Sequence, residues 1–263
     1  MKAGTPEPDD APAESHDFIT TEHFAYTAGE DLDGQASGHG WARPWTGGGA
    51  RVEASSLNYP PHPVEGGSLL IPATEEELGW ARPIGSMKRF MREPGKKGHW
   101  YFSAIVQHSD ETPGPGGELR LNPMDPVDAR NPFQIVVADN GPGLRISLSG
   151  AKGAIELPDA GKPVFLLCRI ELSPRTYFWD LNAQLLVNPD TKSPNFGGGG
   201  QPLTASFANV RLPEQFGMSI RRLRGQAISR LDEIRFGRHW EEMTFRPPQI
   251  DPPAGTGKVE AKK

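Results

Sequence analysis

Two stretches of the chain alternate apolar and polar residues with a period of two. VFLLCRIEL places Val164, Leu166, Cys168, Ile170 and Leu172 on one face, with Phe165, Leu167, Arg169 and Glu171 on the other. FWDLNAQLLV places Trp179, Leu181, Ala183, Leu185 and Val187 on one face, against Asp180, Asn182 and Gln184. This period predicts strands with one buried side. Shorter alternations occur in QFGMSI (Phe216, Met218, Ile220) and in LRISLSG (Leu144, Ile146, Leu148), which a short turn joins to GAIELP. HWYFSAIVQH is apolar on both faces, as a central strand is. EEELGW alone reads as a helical turn. The chain has 31 glycines and 27 prolines in 263 residues, scattered between short apolar runs. The pattern is that of many antiparallel strands joined by turns, a sandwich or a barrel.

One body spans roughly 18–246, with no internal repeat and no linker. Residues 1–17 and 247–263 are Pro-rich and aperiodic, and are predicted to be disordered. The net charge of -5 argues against a nucleic-acid or anionic-membrane binder. The basic stretch MKRFMREPGKKGH is broken by Pro94 and Gly95 and reads as a solvated loop. No apolar run is long enough to span a membrane, and no signal-peptide core follows Met1. Cys168 is the single cysteine, so no internal disulfide forms; its apolar alternation position predicts a buried, inert thiol.

DEIRFG, near the end of the body, concentrates charge. Alternation turns Ile234 and Phe236 inward and sets Glu233 and Arg235 together on the opposite face. A pair two residues apart on an exposed strand face is a surface ion pair worth about 0–1 kcal/mol. Asp232 has the inward parity, at the start of the strand, where it accepts hydrogen bonds from the backbone of a neighbouring turn. Strand geometry accounts for these acids without a catalytic pair.

LDEIRFGRHW, closing a long run of strands, resembles the terminal strand of bacterial LamG-like, concanavalin A-like domains. The opening segments FAYTAGEDLDGQASGHGWARPW and SSLNYPPHPVEGGSLL are similar to the start of such domains, and WYFSAIVQ and LLVNPD to a middle strand and its Asn-Pro turn. Ser37 departs from the glycine expected before Gly38, and NFGGGGQ is an unusual loop. The resemblance covers about 18–245 and implies a two-sheet antiparallel jelly-roll β-sandwich in an exported bacterial protein. Its superfamily holds lectins, glucanases and adhesive modules, and the fold does not choose among them.

Related glucanases place their carboxylates in a Glu-x-Asp-x-x-Glu strand motif, which is absent here; the acids at 232, 233, 241 and 242 have another spacing. The seven histidines form no ligand-spaced pair. GEDLDG (Asp31, Asp33) and ADNGPG (Asp139) supply oxygens for calcium, but both are ordinary turn sequences, and turn is the preferred reading. No cofactor is expected beyond that calcium option. The Gly-rich runs lack the Lys-Ser/Thr of a phosphate loop. One constellation remains. If the central strands are neighbours, Tyr101, Ser103, Gln107, Arg169, Asp180, Asn182, Gln184, Glu233 and Arg235 carpet one sheet face with amides, hydroxyls and paired charges. Such a face suits sugar hydroxyls, and it is also what the solvated side of an ordinary sandwich looks like. Trp41, Trp45 and Tyr59 either form a sugar platform or pack as a lid on the core. The expectation is a non-catalytic glycan-binding or adhesion-type module. A polysaccharide-active hydrolase or lyase, and a structural or protein-interaction module, are the alternatives.

Overall fold

The computed structural model describes residues 20–60, 66–86, 98–108, 117–125, 133–140, 143–176, 178–189, 202–225, 228–239 and 243. The two predicted tails and residues 87–97 of the basic stretch lie outside them. Fourteen strands run in the order β1 (Thr20–Glu22), β2 (Arg51–Glu53), β3 (Ser68–Ile71), β4 (Leu78–Ser86), β5 (Gly98–His108), β6 (Glu118–Asn122) and β7 (Ile135–Asn140). They continue with β8 (Gly143–Leu148), β9 (Ile155–Leu157), β10 (Val164–Pro174), β11 (Trp179–Val187), β12 (Leu203–Val210), β13 (Gln215–Arg222) and β14 (Ser229–Gly237). One sheet has the order β12-β11-β10-β5-β14-β3-β2, with β1 also on β14; the other is β4-β13-β6-β7-β8-β9. All named pairings are antiparallel. The protein is the β-sandwich that the alternation predicts. EEELGW is not a helical turn: bends lead from Glu75 into β4.

The inner faces follow the period-two reading. Leu166, Cys168, Ile170 and Leu172 of β10 and Leu181, Ala183 and Leu185 of β11 share one core with Phe216, Met218 and Ile220 of β13 and Leu144, Ile146 and Leu148 of β8. The aromatic contacts are specific: Trp100 meets Phe216 edge-on at 5.4 Å, and Phe216 meets Phe236 edge-on at 5.6 Å. Edge-to-face packing of this kind adds about 0.5–1.5 kcal/mol beyond burial. β5 lies in the middle of the large sheet and is buried on both faces, as its composition requires.

The alternation reading fails in one strand. β14 pairs with β3 through Ser229, Arg230 and Leu231, and with β1 through Ile234, Arg235 and Phe236. Between these blocks its register against β5 slips from Asp232 to Arg235, and Glu233 adopts φ 50°. This bulge inserts an extra residue and switches the parity. Leu231 and Ile234 therefore both join the core. Glu233, expected on the surface, is 0% exposed. Its Oε2 accepts from Arg235 Nη2 at 3.0 Å and lies 2.9 Å from His23 Nδ1. Asp232, expected to face inward, lies opposite Ile105 on the outer face instead, and accepts from the backbone N–H of Leu57 at 2.8 Å, the turn contact expected of it.

Two buried polar clasps join the sheets. Glu22, on β1, meets Arg82, whose side chain enters the core interior from β4. Trp45 Nε1 and Tyr26 OH donate to the same carboxylate oxygen at 3.1 and 2.8 Å, and the Phe24 N–H donates to the other at 2.9 Å. Trp41 covers the guanidinium at 4.8 Å. Burial pushes the Glu22 carboxyl above its ordinary pKa, against the opposing pull of Arg82. In the second clasp His108 Nδ1 lies 2.5 Å from Asp139 Oδ1, and Arg222 Nη1 donates to Ser229 Oγ at 3.3 Å. Gly117 leaves room for that guanidinium, which a β-carbon there would strike.

Three outcomes are expected. Ile234→Ala costs about 2–5 kcal/mol through the cavity it opens. Glu233→Gln costs about 1.5–3 kcal/mol, as for a hydrogen bond to a charged group, and not the near-zero cost of a surface pair; denaturant melts of the two variants measure both. Burial raises the pKa of the Cys168 thiol. The native protein is therefore expected to resist a thiol reagent until unfolded, a rate that a chromogenic disulfide reports.

Candidate functional site

The outer face of the large sheet divides in two. Toward one end, Tyr101, Ile105, Phe165, Leu167 and Leu186 form an apolar patch covered by Leu57, Tyr59 and Met243. The covering strap is tied down at several points. Its Leu57 N–H donates to Asp232, and Tyr59 OH donates to Asn188 Oδ1 at 3.1 Å. Tyr59 also packs against Phe165, the rings tilted by 39° with 5.8 Å between centroids. Beyond the strap the same face is polar and open.

Register builds that polar half in rungs. One rung runs Tyr101, Arg169, Gln184, Thr204 across β5, β10, β11 and β12; the next runs His99, Glu171, Asn182, Ser206. Ser173 opposite Asp180 makes a third. Arg169, Glu171, Asn182, Gln184, Thr204 and Ser206 line a groove of about 260 Å³. Its charges cancel, because Arg169 pairs with Glu171. Next to it Arg175 Nε pairs with Asp180 Oδ2 at 2.6 Å. Ser206 Oγ donates to Asn182 Oδ1 at 2.7 Å, which leaves the amide N–H groups of Asn182 as its donors toward the groove. Arg169 Nε and Asp180 Oδ1 are buried and have no hydrogen-bond partner among the described residues. In the second rung His99 has a lowered pKa, by partial burial and by the charges of Arg169 and Arg238, which favours its neutral form.

The candidates named from sequence are distributed unevenly. Arg169, Asn182 and Gln184 come together in the groove, and Asp180 lies one rung away. Tyr101 and Ser103 have the predicted parity but are buried, Tyr101 within the apolar patch. Gln107 is turned away, its Nε2 donating to Gly161 O. Glu233 is buried by the bulge, and Arg235 is engaged with it, so neither forms part of the open face. Glu171, Thr204 and Ser206 are additions. Their signal was present: Glu171 shares parity with Arg169, and LTAS sets Thr204 and Ser206 outward between Leu203 and Ala205.

Trp41, Trp45 and Tyr59 pack and do not form an open platform. Trp45 is fully buried, and Trp41 lies edge-on to Phe236 at 6.0 Å. The calcium candidates are occupied by other partners. Asp31 accepts from the N–H groups of Asp33 and Gly49 at 2.9 and 2.8 Å, and Asp33 accepts from Gly47 at 3.0 Å. Asp139 is held by His108 and by the N–H of Gly117 at 3.2 Å. Among the described residues no group of three or more His, Cys, Asp or Glu side chains is placed to hold a metal ion. Among the same residues no helix is long and apolar enough to cross a membrane.

No protein-family model matches the chain, and no curated protein matches it. Solved structures do. A protein of unknown function from Shewanella oneidensis MR-1 is 9% identical, with a TM-score of 0.45 over 95% of this chain and 100% of that one. The globular domain of T. cruzi calreticulin is 15% identical, with a TM-score of 0.43 over 76% and 86%. The binding domain of botulinum neurotoxin DC, solved in a complex with a sialylated ligand, is 9% identical, with a TM-score of 0.38. This chain covers 48% of that domain's length.

The strap has a pH-dependent tie. Burial, with the charge of Glu233 adding to it and the Leu57 N–H opposing it, raises Asp232 from 3.8 to about 8. The folded protein thus keeps a proton that the unfolded chain releases. Its stabilising effect is complete below about pH 4 and is lost as pH rises toward 8. Asp232→Asn keeps the shape and one of the two oxygens that accept from the Leu57 and Glu233 N–H groups, and has nothing to ionise. Urea melts are expected to show the variant gaining on the wild type steadily from about pH 5 to about pH 8.

Proposed function

We propose that the protein is a non-catalytic, glycan-binding sandwich of the concanavalin A-like kind, as its resemblance to LamG-like domains implies, and that it works outside the cytoplasm of a bacterium. The groove on β10, β11 and β12 is the observation that carries this reading. It offers amides and hydroxyls at regular spacing and no net charge, which suits a ligand whose own groups are neutral hydroxyls. The side chains of Gln184 and Thr204 make no hydrogen bond to the described residues, so neither must give up a protein partner to bind. A shallow face of this kind excludes little water, and each hydrogen bond to a ligand replaces one to solvent. Affinity for a single sugar is therefore low and grows with chain length.

A second reading, a polysaccharide-active hydrolase, has one observation in its favour. Glu171 and Asp180 are diagonal neighbours on one sheet face, which places two carboxylates on the same side of the groove. Each is already neutralised by an arginine, which favours binding over proton transfer.

Calorimetry with neutral and acidic oligosaccharides, with and without calcium, tests the proposal. Binding is expected to be strongest for neutral chains, to change little with salt, and to weaken by about 0.5–1.5 kcal/mol on Asn182→Ala or Gln184→Ala. Release of reducing ends that is lost in Glu171→Gln favours the hydrolase. No heat with any sugar leaves a structural or protein-interaction module.

A further inference from the structure

The groove continues toward the tip of the β10–β11 hairpin. Ser173 faces Asp180, and beyond them the hairpin closes with the Arg175 N–H donating to Phe178 O at 2.8 Å. Trp179 packs against the core. Its neighbour Phe178 therefore faces the other way, on the side of Asp180 and Asn182. Phe178 is 43% exposed and is the one large apolar side chain exposed among the described residues. A solitary exposed apolar residue is ordinary on a protein surface. Here the ring sits in line with the polar rungs, at the end of the face that carries the groove.

We infer that Phe178 is the aromatic stacking platform of the glycan site, and that the ligand is a neutral oligosaccharide lying lengthwise along the hairpin from Gln184 to Phe178. This rests on the glycan-binding reading and adds the ring, the direction and the minimum length. A sugar ring has a flat C–H face that stacks on an aromatic surface, and its edge carries hydroxyls. Tyr101, the aromatic residue predicted from sequence, is buried beneath the strap and has no face to offer. Phe178 supplies one. The strip between ring and groove has its charges closed in pairs, Arg169 with Glu171 and Arg175 with Asp180. That arrangement gives a polyanion no net attraction and gives hydroxyls both donors and acceptors. Six residues of extended strand separate Phe178 from Gln184, a span of about 20 Å. A disaccharide is too short to touch both ends; a hexasaccharide can.

The test uses the whole chain and the di- and hexasaccharides of the malto, cello, laminari and manno series, by calorimetry. For a hexasaccharide that binds the wild type, Phe178→Ala is expected to lower affinity about tenfold. Phe178→Trp is expected to restore it, and disaccharide binding at the groove is expected not to change. Thermal melts confirm that the variants fold, as replacement of an exposed side chain at a hairpin tip allows. If Phe178→Ala leaves hexasaccharide affinity unchanged while Asn182→Ala weakens it, the platform inference is overturned and the glycan-binding reading stands. Equal losses for disaccharide and hexasaccharide on Phe178→Ala overturn the lengthwise placement. If no sugar binds the wild type, both fall together.

Discussion

The change of partner along β14 is the constraint on which most of the structure turns. One strand must pair first with β3 and then with β1 on the same side, while β5 lies along the other. Two short strands meeting one long one leave a break, and the bulge at Asp232 and Glu233 fills it. The break sets the depth of both carboxylates. It sends Asp232 toward the outer face, to hold the strap, and closes Glu233 between His23 and Arg235. It also sets β1 against the second half of β14, with Glu22 opposite Ile234. That placement brings the Glu22 carboxylate to Arg82. A left-handed backbone at Glu233 is a local cost of order 1–3 kcal/mol, tolerated where the surroundings over-determine it.

The two clasps show what such buried polarity does in a sandwich. A buried ion pair contributes little net stability, because desolvation offsets most of the attraction. It does discriminate between arrangements. The Glu22 oxygens receive Trp45, Tyr26, the Phe24 N–H and Arg82 together only when β1, β4 and the intervening loop are in register. A sheet face of aliphatic residues slides at small cost; a carboxylate with four donors does not. The His108–Asp139 contact and the Arg222–Ser229 hydrogen bond fix the sheets in the same way elsewhere. The sandwich is thus held by its apolar core and aligned by these clasps.

Period-two alternation was legible wherever the strand itself carried no inserted residue. VFLLCRIEL, FWDLNAQLLV and QFGMSI all face as their sequences say, because the slips beside the last two put the extra residue in the partner strands β12 and β4. It failed in DEIRFG because there the extra residue lies in β14 itself, and nothing local announces that the partner changes. Of the candidate site, Arg169, Asn182 and Gln184 were legible by parity on two strong strands. Tyr101 and Ser103 were placed on the correct face, but the cover of Tyr101 comes from residues far off in the chain, a strap around Leu57 and Tyr59 and the distant Met243. Parity gives the face and says nothing about what lies over it. Thr204 and Ser206 escaped notice because small residues alternate quietly. Arg82 was equally hidden: it has the inward parity of Trp80 and Ile84, and a charged residue at such a position looks like an error until its partner is found.

β12 forms the outer wall of the groove and, among the described residues, is the last strand of its sheet, bonded on one side to β11. A wall of this kind differs from the rim of a closed pocket. A pocket recognises the end of a chain, because only an end can enter it. On the glycan-binding proposal, a shelf bordered by an edge strand admits a polymer from the side, at any point along its length. The number of binding positions on such a polymer would then scale with its length and not with its ends, and several copies of the protein would fit on one strand at once.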